Sequence, residues 1–364
     1  MSRLTDDLDR IGDDTEPTPI SLDAAVAGRE QAAVEAAAAV LAAGGDVAQA
    51  ARAALGAASA QDLALRGILF AVSDASATSW STSRNTQAVD VVHAMAGYLG
   101  TVEDAAARST VPTGHRFVVP SEPLWAGYRG HVVYLPADDQ GAVALAMAFR
   151  ILEEILEPEP EEADAAHAII ESLRHAEAAF SEETSAERVL SEAAIEAAIA
   201  RVGDRATMGA APAVRDGRSL ALVDVHGNAL VIAFGDELER LPVPAILDRG
   251  GRPWVVLAAE VDCSAPVLGL VHALVDRAVE PGVAIASTRF ALGVGAAVAV
   301  EADVEPHVRE GLVRRGHVVE TVTRAAGSLV AVVIDEAFGR HALGDPRVAS
   351  FVRVVQRAST SDQA

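Results

Sequence analysis

The groups in this sequence best suited to acyl chemistry are three potential nucleophiles: Ser219, Thr207 and Cys263 with Asp262 beside it. A hydroxyl or thiol becomes a useful nucleophile when a base sits next to it or its pKa is lowered. Cys263 allows a thiol-nucleophile reading, but an apolar strand–helix junction is also the setting of an inert core thiol. Ser219 opens a strand-like run and reads equally as an ordinary strand serine. Thr207, ahead of Met208-Gly209, has no strand behind it. His167 and His175 are eight apart and so lie near one helix face. Without the carboxylate–histidine spacing typical of a metal site, they read as surface histidines, and no metal is expected. The chain contains no lysine, which excludes Schiff-base chemistry and a phosphate-loop lysine.

These candidates need a frame. Residues 218–234 read as two short strands joined by a tight turn. Leu220, Leu222, Leu230 and Ile232 are apolar, and His226-Gly227-Asn228 tolerates positive φ. Residues 24–43 are helix-forming throughout and stopped by Gly44-Gly45, after which Asp46 caps a second helix to about residue 58. A strand-like run at 63–72 and a helix at 87–99 follow. Residues 123–136 read as a turn then a strand, 139–153 as a glycine-started amphipathic helix, 157–163 as a charged hinge and 167–180 as another helix. Further on, 253–258 is a buried strand and 264–277 a helix with a serine cap and an early proline.

Bulk composition bounds the function. Hydrophobic residues make up 51% of the chain but aromatics only 4%, so the core must be packed from alanine and valine in close helix–sheet contact. A formal charge of −23 argues against nucleic acid or an anionic membrane as partner. The single cysteine excludes an intramolecular disulfide and a cysteine metal cluster. The acidic start has no apolar h-region and no apolar run has spanning character, so a cytoplasmic protein is expected. The Ala/Arg/Val bias fits a GC-rich bacterial genome. Residues 1–20 read as a disordered acidic tail, 21–355 as a single domain and 356–364 as a C-terminal tail.

Several local patterns recur in order. Asp224, Gly227, Asn228 and Ala229 sit at the spacing of Asp-x-x-Gly-Asn-Ala. A helix–Gly44-Gly45–helix unit precedes them, as do Tyr128-Arg129-Gly130 and the helix ending Ile151-Leu152-Glu153. Arg289-Phe290, Arg315-Gly316-His317 and Asp345-Pro346-Arg347 follow. Together they resemble the γ-glutamyltransferase (γ-glutamyltranspeptidase) family, in a shortened and divergent form. The resemblance implies an α+β fold, a four-layer αββα sandwich of the Ntn-hydrolase (N-terminal nucleophile) type. Residues 21–216 would correspond to the large subunit and 217–355 to the small one. The strand at 219–224 would be central and next to the strand at 255–258.

The resemblance also implies where chemistry belongs. The family's nucleophilic threonine falls on Gly217, and the residue after it on Arg218. Its oxyanion Gly-Gly pair falls on Asp262 and Cys263, where a carboxylate would oppose the charge to be stabilised. Arg84 stands for the arginine that holds the glutamyl α-carboxylate, a task suited to a guanidinium fork, and is expected near Ser219. The expectation is a pseudoenzyme: an unprocessed binding or interaction protein without the catalytic threonine or the Gly-Gly motif. Its partner would be a small γ-glutamyl or amino-acid-like ligand near Arg84, Asp262 and Cys263, or a protein; no cofactor is expected. The alternative is a divergent γ-glutamyl or amide hydrolase, or an acyltransferase, using Ser219. Ser219 lies two residues beyond the threonine position, on the same strand face.

Overall fold

A computed structural model describes residues 23–58, 64–73, 76–78, 117–118, 123–137, 139–182, 185–210, 217–235, 241–260, 264–287, 289–324, 327–335 and 339–356. Arg84, Asp262 and Cys263 lie outside these residues. So do the tail expected at 1–20, the helix expected at 87–99 and all but the first residue of the C-terminal tail.

Strand propensity and two-residue alternation build two main sheets. The first runs β16 (Phe351–Val355), β1 (Ala24–Gly28), β7 (Arg218–Val223), β8 (Ala229–Gly235), β2 (Ala64–Ser73), β3 (Ser76–Thr78), with β4 (Phe117–Val118) also pairing with β2. The second runs β15 (Gly339–Gly344), β14 (Ser328–Asp335), β10 (Arg252–Glu260), β9 (Val243–Arg249), β6 (His131–Leu135), β5 (Leu124–Tyr128). A small third sheet orders β11 (Phe290–Leu292), β12 (Ala297–Glu301) and β13 (Val318–Val322).

Alternation along β7 shows how the layers form. Leu220 and Leu222 face helices α1 (Gln31–Ala42) and α2 (Val47–Ala57), packing on Val34, Leu41 and Leu55. Ala221 and Val223 face the other way, onto Ile246, Val256, Ala258, Val330 and Val332 of the second sheet. That sheet's outer face is covered by α3 (Gln140–Ile155), α4 (Glu162–Glu182) and α7 (Ser264–Val275). The short helices α5 (Ala186–Val189), α6 (Glu192–Ile199), α8 (Pro281–Ala286) and α9 (Pro306–Arg314) complete the described helices. The molecule is a four-layer αββα sandwich. β7 and β10 share the core between the sheets, but they face each other across it instead of pairing within one sheet.

Two local expectations change. Residues 24–28 are not the start of a helix but the strand β1, paired with β16 and with β7 (Val26↔Leu222, Gly28↔Leu220). All five are buried. Alanine's helix preference is worth only tenths of a kcal/mol per residue, and burial between helices on one face and a second sheet on the other outweighs it. Residues 124–135 form a hairpin, β5–β6, turning at Arg129 and Gly130. Tyr128 Oη donates to Asp276 Oδ2 at 2.6 Å and Arg129 Nε to Asp276 Oδ1 at 3.1 Å, tying this hairpin to the end of α7. Among the described residues no helix is long and apolar enough to cross a membrane.

The β7–β8 turn depends on Asp224, which is fully buried. Its Oδ1 accepts the amides of His226 (2.9 Å) and Asn228 (3.0 Å), and its Oδ2 accepts Asn228 Nδ2 (2.8 Å). Gly227, at φ 84°, supplies the left-handed residue. Truncation would strand buried donors that cost about 1–3 kcal/mol each. Asp224→Ala is therefore expected to lower stability in chemical denaturation by about 2–4 kcal/mol, whereas His226→Ala, at an exposed position of the same turn, shifts it by under about 0.5 kcal/mol. Equal effects of the two would refute this reading of the turn.

Candidate functional site

Among the described residues, two places bring chemically capable groups together. The first is the start of β7. Gly217 and Ser219 share the face of the strand that looks between the sheets, on the same side as Ala221 and Val223. A Cβ at position 217 would lie 2.6 Å from Pro242 Cδ and 3.1 Å from the carbonyl oxygen of Phe234. The first distance is well inside van der Waals contact, so a β-branched side chain needs Pro242 to move. Arg218 is fixed by an ion pair with Glu30 (2.7 Å) and lies 5.5 Å over the ring of Phe234. Ser219 is 1% exposed and sits inside the ladder, opposite Ala233, with Arg218 opposite Phe234. The peptide bond between Arg218 and Ser219 is thus part of a paired strand. Arg84, Asp262 and Cys263 fall outside the described residues, so β7 is the part of the expected site whose geometry is described.

The second place is a buried polar cluster in the helical layer outside the second sheet. His167 and His175, expected on the surface, are each 7% exposed. Helix α4 carries His167, Glu171 and His175 one turn apart on one face, with Arg174 beside them, and packs this face against α9 and the strands beyond it. Glu171 is fully buried, and Thr207 N–H donates to both of its oxygens (3.1 and 3.2 Å). His317, between α9 and β13, is 3% exposed, and its Nε2 lies 2.9 Å from His167 Nδ1 and 4.0 Å from Glu171 Oε1. Arg174 Nη2 donates to the carbonyl of Ala297 on β12 at 2.8 Å.

The tautomers in this cluster follow from the partners. His167 Nε2 lies 2.9 Å from the carbonyl of Gly203, which only accepts, so that nitrogen carries the proton. The other nitrogen, Nδ1, lies 2.9 Å from His317 Nε2 and accepts its N–H. Among the described residues, the buried His317 Nδ1 has no partner. Burial, reinforced by His167, Arg174 and Arg315, pushes the His317 pKa down to about 4, so the ring is neutral at pH 7. Burial also lowers the pKa of His175, with Glu171 opposing.

Thr207 Oγ1 lies 3.2 Å from His175 Nε2, and Glu171 Oε2 lies 3.7 Å from the same nitrogen. A nucleophile–base–acid relay needs hydroxyl and carboxylate on opposite ring nitrogens, so these three groups do not form one. The donor atoms of His167, Glu171 and His317 all lie within 4.8 Å of one another, close enough to share a metal ion. Contrary to the expectation of no carboxylate–histidine spacing here, His167, Glu171 and His175 stand four residues apart in the sequence, whereas His317, 150 residues from His167, gives no local signal.

No protein-family model matches the sequence, and no curated protein matches it. Solved structures do. The cephalosporin acylase from Bacillus halodurans aligns over 96% of this chain and 100% of that one, with a TM-score of 0.70 at 15% identity. LmbA2991T421A aligns over 93% of this chain and 99% of that one, with a TM-score of 0.66 at 16% identity. The gamma-glutamyltranspeptidase from Pseudomonas nitroreducens aligns over 33% of this chain and 62% of that one, with a TM-score of 0.26 at 17% identity, an overlap too small to support any inference. At these identities the likeness is one of fold. The chain has the αββα sandwich fold of the Ntn-hydrolase type.

Proposed function

We propose that this chain is a γ-glutamyltransferase-like protein that keeps the αββα scaffold without its acyl-transfer chemistry, as an unprocessed cytoplasmic binding or partner-docking module. The observation that carries this reading is Gly217, where the family resemblance puts the nucleophile. The residue has no side chain, and Pro242 Cδ stands 2.6 Å from where a Cβ would be. No serine, threonine or cysteine lies between Thr207 and Ser219 in the sequence. Self-cleavage of this kind needs a hydroxyl or thiol directly after the bond that breaks, and the new amine must then serve as base. Ser219 supports the reading too, being 1% exposed and locked in the ladder behind an Arg218–Glu30 ion pair. Losing the nucleophile is not compensated by the groups around it when they act as a unit. The ligand consistent with the resemblance is a small γ-glutamyl or amino-acid-like molecule; a protein partner is the other candidate.

Turnover of γ-glutamyl-p-nitroanilide by the purified protein is expected to equal the buffer rate. Turnover above buffer that disappears in Ser219→Ala would replace this reading with a hydrolase built on Ser219. Gly217→Thr is expected to remain inactive and to lose about 1–3 kcal/mol of stability, the usual cost of overpacking, because its side chain meets Pro242. Activity gained by that single change would show that only the nucleophile was missing.

A further inference from the structure

The cluster around His317 is remote in the fold from β7: it lies in the helix layer outside the second sheet, whereas β7 belongs to the first sheet. We propose that His167, Glu171 and His317 are ligands of a structural transition-metal ion of the zinc class. Two imidazole nitrogens and a carboxylate oxygen form a donor set that Zn²⁺ accepts. Two ligands at about 2.0–2.1 Å from a tetrahedral ion stand about 3.3 Å apart. His167 Nδ1 to His317 Nε2 is 2.9 Å and Glu171 Oε1 to His317 Nε2 is 4.0 Å, distances on either side of that value. All three donor atoms lie within 4.8 Å of one another, so side-chain adjustments of up to about 1.5 Å bring them to coordination geometry.

The surroundings are arranged as they are around metal-binding histidines. His167 gives its outer Nε2–H to the carbonyl of Gly203, which fixes the tautomer and directs the Nδ1 lone pair inward. Glu171 is held by the amide of Thr207. His317 offers its Nε2 lone pair once its proton sits on Nδ1. That atom has no partner among the described residues, and binding the ion replaces the hydrogen bond to His167 that holds the present tautomer. The proton moves from one ring nitrogen to the other, and a neutral imidazole binds the ion with no net proton released. Three protein donors leave one position of a four-coordinate ion open. Arg174 and Arg315 are like charges beside the site; Arg174 Nη2 is turned onto the carbonyl of Ala297, and Arg315 pairs with Asp164.

An ion here would join α4, the 203–207 segment and the β12–α9–β13 unit, three stretches far apart in sequence. Its role is to hold the small third sheet and its helix onto the main body.

The test uses the full chain, freed of metal with a chelator and titrated with Zn²⁺ and Co²⁺ in excess Mg²⁺. The Mg²⁺ occupies the surface carboxylates of a chain with 52 acidic residues. Expected are one tightly bound equivalent of Zn²⁺, a rise in Tm on binding, and intense visible Co²⁺ bands of a four-coordinate nitrogen-containing site. His317→Gln and Glu171→Gln are each expected to abolish the stoichiometric binding. Binding that is substoichiometric, or that survives both substitutions, would overturn the proposal and leave a purely hydrogen-bonded cluster. Should either variant fail to fold, the Co²⁺ spectrum of the unmodified protein decides. Weak bands of an all-oxygen octahedral site would count against the proposal.

Discussion

The thinness of the layer between the two sheets governs the rest of the structure. On the first sheet the inner face is Ala25, Ala27, Ala221 and Ala229 with Val223 and Val231; on the second it is Ile246, Val256, Val330 and Val332 with Ala258. Small side chains on one face against branched aliphatic ones on the other let the sheets approach closely, and a larger residue would have to push them apart. The same closeness persists to the start of β7, where Gly217 meets Pro242 at the head of β9. A chain with so few aromatic residues builds its core from such contacts, and the site expected at this point is shaped by them.

The motifs behind the family resemblance turn out to be fasteners. Asp224 and Asn228 staple the β7–β8 turn. Tyr128 and Arg129 fix the β5–β6 hairpin on Asp276. Arg289 and Asp345, from patterns far apart in sequence, form a buried ion pair, while Asp345 Oδ2 also accepts the amide of Leu329 at 3.1 Å and Glu301 pairs with Arg347. Removing one partner from a buried pair of this kind typically costs about 3–5 kcal/mol. These residues hold the sandwich together, and the position that the resemblance assigns to the nucleophile is glycine, Gly217.

The sequence revealed what local rules determine. The β7–β8 hairpin was legible because alternation and His226-Gly227-Asn228 point the same way, and α2 because Asp46 and Gln49 form a capping box. β1 was misread because Ala24, Ala25 and Ala27 favour helix on their own, and only pairing with β16 and β7 makes them a strand. The histidines of α4 were misread for a similar reason. Their shared face was evident, but its burial is created by α9 and His317, which come from distant parts of the chain. At the candidate site the strand expected to carry Ser219 is β7, with Gly217 just before it, but the obstruction of Gly217 by Pro242 depends on two strands meeting from opposite sheets, which no spacing encodes.

Under the proposed function the backbone before Ser219 remains intact. The direct measurement is the intact mass of the purified protein after prolonged incubation, read together with N-terminal analysis. One unbroken polypeptide of 37.6 kDa is the predicted result. Two associated chains, the second beginning with Ser219, would contradict it.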